Sequence, residues 1–278
     1  MGTVSEKSAG PLLVWGFDGT VVDSYPAIRA AVDAALDQHG LQPAGPQWVT
    51  EAILRSLVGL SLDRIFGRLV YHLDPDPRLI ESLVSAYREA FRAVGPAHAT
   101  LLPGIDSLLA DLRANGAVSV VASSDGSGAG VLLDRFGIAE HFAGVVSDDD
   151  VARNHRKPDS GLVLSACAAH GYDPTDAVVI GDSVFDVEMG QAAGADTVWV
   201  TWGNQTRGDL LERTPTHLAE DVDELGSLLH RYVGEAEAAA AAVAEPGRPH
   251  HPWAPNGRRT QTKLRRQRRW AFSRCGPA

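Results

Sequence analysis

The sequence has few cysteines and no long apolar run. Its two cysteines, Cys167 and Cys275, are too few for a disulfide framework. No stretch reaches the roughly 18 consecutive apolar residues of a membrane helix, and residues 1–11 contain no apolar run typical of a secretory signal. Because 44% of the 278 residues are hydrophobic, the chain can build one large or two modest cores. We therefore expect a globular, cytoplasmic protein without a membrane partner.

Acidic residues are absent from the last part of the sequence. Residues 246–278 contain nine Lys or Arg, which leaves 16 basic and 35 acidic residues, a net charge of −19, on residues 1–245. Such an acidic body repels nucleic acid over most of its surface. The segment Arg265–Trp270 is compatible with binding to nucleic acid, an anionic membrane or an acidic protein. The abrupt change in composition after Glu245 favours a disordered tail or an out-of-frame extension, and nucleic-acid binding is not expected.

Short apolar runs rich in β-branched residues recur along the chain and predict strands. They are Leu12–Trp15, Val118–Ala122, Gly144–Ser147, Ala177–Ile180 and Thr197–Thr201. Helical patterns lie between most of them, at Asp106–Asn115, Gly130–Phe136, Gly161–His170 and Val184–Ala193. Buried strands that alternate with helices predict an α/β fold with a doubly wound, Rossmann-like parallel sheet and helices on both faces.

One long segment contains no convincing strand. Between Tyr25 and Ala99 the pattern predicts four helices, Pro26–His39, Gln47–Leu57, Leu62–His72 and Pro77–Val94, separated by Gly and Pro. We interpret residues 25–99 as a helical cap domain inserted into a core formed by residues 10–24 and 100–233. Residues 234–278 are expected to be an Ala/Glu-rich stretch, compatible with a solvated helix, followed by a disordered basic tail.

Polar side chains follow the ends of four predicted strands. In chain order they are Asp18 and Thr20, Ser123 and Ser124, Lys157, and finally Asp182 and Asp186. Ligands of doubly wound sheets bind beyond the carboxyl ends of the strands, so these groups should meet in one crevice. Carboxylate oxygens suit Mg²⁺, and a lysine with hydroxyl groups suits phosphate oxygens. The pattern predicts a Mg²⁺-assisted phosphate site, although each residue taken singly could instead be a helix N-cap.

These residues also lie in four motifs that resemble those of the haloacid dehalogenase (HAD) superfamily. Residues 12–24 (LLVWGFDGTVVDS) resemble its first motif, Asp-x-Asp-Gly-Thr-x-x-Asp-Ser, and the resemblance covers about residues 10–230. It indicates the branch with phosphoglycolate phosphatases and β-phosphoglucomutases. Residues 23–27 look more like the phosphatases, which implies hydrolysis of a small phosphomonoester such as phosphoglycolate or a sugar phosphate.

The resemblance implies a role for each residue of the site. Asp18 would be the general acid/base, and its backbone carbonyl would bind Mg²⁺ together with Asp182 and Asp186. Ser123 would contact the phosphoryl group of a phosphorylated metabolite, and Lys157 would neutralise its charge.

Substrate binding is implied for three further residues besides Ser123 and Lys157. Ser124 lies beside the phosphoryl contact, and Thr20 would help to hold the first loop. Arg55 lies in a segment that resembles the substrate-specificity region of the family. It would either clamp a substrate anion or lie on a helix surface.

The motif lacks its nucleophile. Gly16 stands where the family has the first Asp, which forms the aspartyl phosphate and binds Mg²⁺. Loss of such a group lowers the rate by about 10⁵–10⁶-fold, roughly 7–8 kcal/mol of barrier. Three interpretations follow: a phosphatase severely impaired by one substitution or sequence error, a pseudophosphatase that binds a phosphometabolite or a protein partner, or slow turnover by another nucleophile such as water.

Overall fold

The computed structural model describes residues 10–41, 49–210 and 213–244. Within them the strands are β1 (Leu12–Trp15), β2 (Val22–Asp23), β3 (Thr100–Leu101), β4 (Val118–Ser123), β5 (Gly144–Ser147), β6 (Ala177–Gly181), β7 (Asp196–Val200) and β8 (His217–Ala219). The α-helices are α1 (Tyr25–Gln38), α2 (Glu51–Leu57), α3 (Leu62–Leu69), α4 (Pro77–His98), α5 (Ile105–Ala114), α6 (Gly126–Phe136), α7 (Gly161–His170), α8 (Val184–Ala193) and α9 (Val222–Ala244).

Six strands form one parallel sheet in the order β5-β4-β1-β6-β7-β8. In this order β1 is central, and its Trp15 pairs in register with Val121 of β4 and Ile180 of β6. The carboxyl ends of these three strands therefore lie side by side. The α/β fold with a parallel sheet, predicted from the alternation of strands and helices, is confirmed.

The two faces of the sheet are covered by different helices. Leu13 and Trp15 of β1 belong to an apolar cluster that includes side chains of α5, α6 and α9. Leu12 and Val14 point the other way, into a second cluster with side chains of α7 and α8. All four β1 residues have 0% exposure, and burial of large apolar side chains contributes about 1.5–3 kcal/mol each. This alternation explains why β1 reads as a continuous apolar run in the sequence.

The helices α1–α4 form an insertion between two short strands. Val22 of β2 pairs with Leu101 of β3, and Asp23 pairs with Thr100, in an antiparallel ribbon. Helices α1 and α4 pack against each other, and their apolar side chains join the larger cluster. No strand interrupts this insertion in the residues that the structure describes, as the sequence predicts. Its division from the core as a cap domain at residues 25–99 remains a prediction.

Several predicted element boundaries are wrong. The single helix predicted at Leu62–His72 ends at Leu69, and a separate 3₁₀ turn follows at Tyr71–Leu73. Helix α4 continues past the predicted end to His98, with Pro96 inside its last turn. The other predicted elements are present with ends shifted by up to about four residues. The first part of the helix predicted at Gln47–Leu57 lies outside the described residues.

The C-terminal part of the described fold ends in one long helix. Helix α9 continues to Ala244, into the Ala/Glu-rich stretch that the sequence analysis considered compatible with a solvated helix, and Leu225, Leu228 and Val233 bury one side of its first half. The sequence analysis did not predict the start of this helix at Val222. The sequence also did not predict β8, a three-residue edge strand. The basic tail lies outside the described residues. Among the described helices, none combines the length and apolarity needed to span a membrane.

Candidate active site

The carboxyl ends of β1, β4 and β6 open into one small cavity. It is lined by Gly16, Phe17, Asp18, Gly59, Ala122, Ser123, Ser124, Lys157, Asp182 and Asp186. We call this space the phosphate cavity, after the site that the sequence predicts there. The structure therefore brings together position 16 and six of the predicted site residues, while their chemical roles remain predictions. Of the residues expected to bind substrate, Thr20 and Arg55 do not line the cavity.

A buried ion pair forms one wall of the phosphate cavity. Nζ of Lys157 donates to Oδ1 of Asp186 at 2.7 Å and to the backbone carbonyl of Ala122 at 3.0 Å. The other carboxylate oxygen of Asp186 accepts from the backbone N–H and the hydroxyl of Ser183, in a capping box at the start of α8. Both oxygens of Asp186 are thus engaged by protein donors. Lys157 is only 3% exposed, although a basic segment precedes it in the sequence.

Asp182 is held by donors from two loops. Its Oδ1 accepts from the hydroxyl of Thr20 at 3.0 Å, which ties the loop after β1 to the end of β6. Its Oδ2 accepts from the backbone N–H of Asn204 at 2.6 Å and from Nδ2 of Asn204 at 3.1 Å. Burial, reinforced by the charge of Asp186, raises the pKa of Asp182 to about 7.

Asp18 has the environment of a proton donor. Its Oδ1 accepts a short hydrogen bond from the hydroxyl of Ser24 at the start of α1. Burial raises the pKa of Asp18, the Ser24 hydroxyl opposes this effect, and the nearby charge of Asp125 adds to it. A carboxyl group with a raised pKa keeps its proton at a higher pH and can donate it to a leaving oxygen. Ser24 is the last residue of the first motif, but the sequence analysis assigned it no role.

Ser123 and Arg55 are engaged within the protein. The hydroxyl of Ser123 accepts from the backbone N–H of Asp125 at 3.1 Å and contacts its carbonyl at 3.2 Å. Arg55 donates to Glu51 at 2.8 Å and to the side-chain carbonyl of Asn204 at 3.3 Å, and its guanidinium lies 3.7 Å from the ring centroid of Tyr25. Arg55 thus contacts Asn204, which in turn donates to Asp182 of the phosphate cavity.

Position 16 faces the phosphate cavity and can accept a side chain. The backbone N–H of Gly16 donates to the carbonyl of Ile180 at 2.7 Å, so the backbone continues the pairing of β1 with β6. A Cβ at this position would lie 3.1 Å from the hydroxyl oxygen of Thr20, and 3.3 Å from both Oδ1 of Asp186 and the backbone carbonyl oxygen of Ile180. Gly16 is not among the glycines with positive φ. A larger residue needs small shifts of its neighbours rather than a new backbone conformation.

Comparison with known proteins assigns the chain that forms this cavity to a family. The family model for haloacid dehalogenase-like hydrolases matches residues 13–200, which include every residue that lines the cavity. The chain belongs to the haloacid dehalogenase-like hydrolase family. The resemblance that the sequence motifs indicated is thereby confirmed.

Curated relatives of this HAD-like hydrolase include phosphatases with different substrates. It is 29% identical over 223 residues to a phosphoglycolate phosphatase of Psychrobacter arcticus, covering 77% of this chain and 93% of that protein. It is also 29% identical over 214 residues to an N-acetylmuramic acid 6-phosphate phosphatase of Pseudomonas aeruginosa, covering 76% of this chain and 88% of that protein. Among solved structures, a hydrolase of Pseudomonas syringae superposes with a TM-score of 0.69 at 23% identity, covering 80% and 98% of the two chains. This last match supports the fold alone.

Few side chains of this HAD-like hydrolase are arranged as ligands for Mg²⁺. Within the described residues, no group of three or more His, Cys, Asp or Glu side chains is arranged to hold a metal ion. Two oxygen atoms that could bind Mg²⁺ lie near each other, because both accept a hydrogen bond from Nδ2 of Asn204. The distances are 3.1 Å to Oδ2 of Asp182 and 3.4 Å to the backbone carbonyl of Asp18. Their chemistry fits Mg²⁺, which binds one or two carboxylates and fills its other positions with waters and phosphate oxygens.

The loop after β7 contributes residues that the sequence analysis missed. Besides Asn204, Gln205 accepts from the backbone N–H of Val184 at 2.9 Å, and Nε1 of Trp202 donates to the carbonyl of Thr20 at 3.3 Å. The sequence contains the same signal for this loop as for the other site loops, namely polar residues directly after a predicted strand. These residues follow the carboxyl end of a predicted strand of the parallel sheet, where ligands bind.

Proposed function

We propose that the phosphate cavity binds a small phosphomonoester and that hydrolysis of this compound is severely reduced by Gly16. The convergence of Asp18, Ser124, Lys157 and Asp182 around position 16 is the observation that supports this proposal. Lys157 would supply positive charge beside the phosphoryl oxygens, and Ser124 lines the same cavity. Phosphoryl transfer depends mainly on such positioning and charge stabilisation. A cytoplasmic location, expected from the sequence, belongs to the same proposal.

The steps of phosphomonoester hydrolysis can be written for a variant that has a carboxylate at position 16. In the Gly16→Asp variant an oxygen of residue 16 attacks phosphorus while the ester P–O bond breaks, and Asp18 donates its proton to the leaving oxygen. Asp18 then takes a proton from the water that hydrolyses the aspartyl phosphate. When bound, Mg²⁺ supplies charge that stabilises the phosphoryl oxygens. It would be held by the carbonyl of Asp18 and the carboxylate of Asp182, whereas both oxygens of Asp186, the third ligand that the resemblance implies, already accept from Lys157 and Ser183.

A paired assay tests this function. Phosphate release with Mg²⁺ is measured for the native chain, Gly16→Asp and Gly16→Asn, over a panel that includes phosphoglycolate and sugar phosphates. Gly16→Asp should exceed the native rate by at least about 10⁴-fold, because it restores covalent catalysis. Gly16→Asn has nearly the same shape and should stay close to the native rate. A folded Gly16→Asp variant that is inert towards the whole panel would contradict the proposal.

A second function, binding without turnover, is favoured by the glycine itself. Position 16 lacks a nucleophile, yet Lys157 and Ser124 still line the phosphate cavity. A pseudophosphatase of this kind should bind a phosphometabolite saturably and release no phosphate. Titration calorimetry of the native chain measures this directly. The absence of heat with every compound that Gly16→Asp hydrolyses would contradict it.

A further inference from the structure

A larger cavity adjoins the phosphate cavity. It has a volume of about 850 Å³ including its open mouth, and it lies between helices α3 and α4 and the loop that follows β5. Ser124 lines both spaces. A phosphomonoester whose phosphoryl group lies beside Ser124 can therefore extend its leaving group into this second space, which we call the side cavity.

The arginines of the side cavity are already paired with acidic residues. Nη2 of Arg88 lies 2.8 Å from Oδ2 of Asp149. In the same way Arg153 pairs with Glu81 at 3.6 Å and Arg156 pairs with Asp63 at 3.4 Å. All six of these side chains line the side cavity. Their positive charge is therefore matched, and a carboxylate on a ligand would have to displace a protein partner from an arginine.

One carboxyl group in the side cavity has no such partner. Asp148 is 2% exposed, and neither of its side-chain oxygens has a hydrogen-bond donor in the structure. The loop fixes it there: Ser147 and Asp150 form a capping box around it, and Arg156 donates to its backbone carbonyl at 3.0 Å. A buried acceptor without a donor costs free energy. A ligand that brings a donor to Asp148 removes that cost.

We propose that the side cavity binds a hydroxyl-rich leaving group and that Asp148 accepts a hydrogen bond from one of its hydroxyl groups. This inference rests on the proposed function and narrows its substrate class to sugar and polyol phosphates, in preference to carboxylate-bearing esters such as phosphoglycolate. A hydroxyl group supplies the missing donor, whereas a carboxylate would face an unpaired acid. Burial, opposed by the charges of Lys157 and Arg156, raises the pKa of Asp148 to about 7. The group is thus partly ionised near neutral pH, where it is a stronger acceptor.

The test compares two substrates and two truncations in the Gly16→Asp background. Glycerol 3-phosphate supplies hydroxyl groups in the leaving group, and ethyl phosphate supplies none. Asp148→Ala should lower kcat/KM for glycerol 3-phosphate about 10-fold and leave that for ethyl phosphate within about twofold, since one charge-assisted hydrogen bond is lost. Glu89→Ala is the matched control, because Glu89 is an exposed carboxylate next to Arg88 on α4 that does not line the side cavity. It should change neither value.

A second measurement keeps the inference testable in the chain as it exists. Calorimetry of the native protein should show binding of glycerol 3-phosphate, and Asp148→Ala should weaken it about 10-fold. If Gly16→Asp hydrolyses both esters but Asp148→Ala leaves their ratio unchanged within about twofold, the side-cavity inference is overturned and the proposed function stands. If no ester is hydrolysed by Gly16→Asp or bound by the native chain, the proposed function fails first, and the inference fails with it.

Discussion

Lys157 and Asp186 form a buried ion pair whose acidic partner borders position 16. Nζ of Lys157 lies 2.7 Å from Oδ1 of Asp186, and this oxygen lies 3.3 Å from the place of a Cβ at residue 16. A carboxylate introduced at position 16 would thus lie close to this ion pair. In the present chain Lys157 neutralises the buried charge of Asp186.

Breaking this pair should be costly. Lys157→Met leaves the buried carboxylate of Asp186 without its cation, and we expect the free energy of unfolding to fall by about 3–5 kcal/mol. Urea denaturation followed by circular dichroism measures the change. Arg153→Met breaks the exposed pair with Glu81 and should cost less than about 1 kcal/mol. Equal losses in the two variants would show that the buried pair does not have this importance.

Position 16 should tolerate a side chain where a neighbouring glycine does not. Gly16→Ala needs small movements of Thr20, Asp186 and the backbone carbonyl of Ile180, so we expect a change in unfolding free energy within about 1 kcal/mol. Gly19→Ala places a methyl group 2.2 Å from Oδ2 of Asp182 at a φ of +81°, and should cost more than about 2 kcal/mol. Thermal and urea unfolding of both variants test this contrast. A larger loss at position 16 would mean that the glycine is structurally required.

Asn204 should compete with Mg²⁺. Its side-chain amide donates to the carbonyl of Asp18 and the carboxylate of Asp182, the two oxygens expected to bind the ion. In the Gly16→Asp background, Asn204→Ala should tighten Mg²⁺ binding about 3–10-fold, because one hydrogen bond no longer has to be displaced. Titration calorimetry measures the affinity. Gln205→Ala removes a neighbouring amide that contacts Val184 and Ser56 instead, and should leave the affinity unchanged. Weaker binding after Asn204→Ala would assign this residue an orienting role.

The stability of the protein should depend on pH through Asp148. Its pKa is raised to about 7 in the folded chain, whereas an unfolded Asp has a pKa of about 3.9. The folded state therefore binds the proton more tightly, and the contribution of Asp148 to stability falls as the pH rises from about 4 to about 7. Asp148→Asn should be more stable than the native chain by about 1–3 kcal/mol above pH 7 and nearly equal to it below pH 4. Urea denaturation at pH 4, 5.5 and 7.5 checks this, and a pH-independent difference would contradict it.

The sheet and the phosphate cavity were predictable from the sequence because both depend on local patterns. Apolar runs such as Leu12–Trp15 must be buried on both faces, and the polar residues that follow such runs necessarily meet at one edge of a parallel sheet. Position 16 could be aligned with the first Asp of the family motif because the residues around it keep the spacing of that motif.

Other features depend on contacts between distant parts of the chain, which no local pattern records. Asn204 joins the site only because β7 lies beside β6, and its amide contacts Asp182 from 22 positions away in the sequence. The lack of a donor for Asp148 is a property of its surroundings, and in the sequence it is one of three consecutive acids. The first half of α9 is fixed by tertiary packing, which buries Leu225, Leu228 and Val233.

Because β2 pairs with β3, the helical insertion is joined to the rest of the chain at one place, and we call it a helical cassette. Because Asp23 pairs directly with Thr100, the chain leaves the sheet domain and returns to it at neighbouring points, and no sheet strand is threaded through the insertion. Another helical cassette of different length could be joined at the same two residues without changing the register of β1, β4 or β6. The residues that line the phosphate cavity at the ends of β1, β4 and β6 can therefore change independently of those that α3 and α4 contribute to the side cavity.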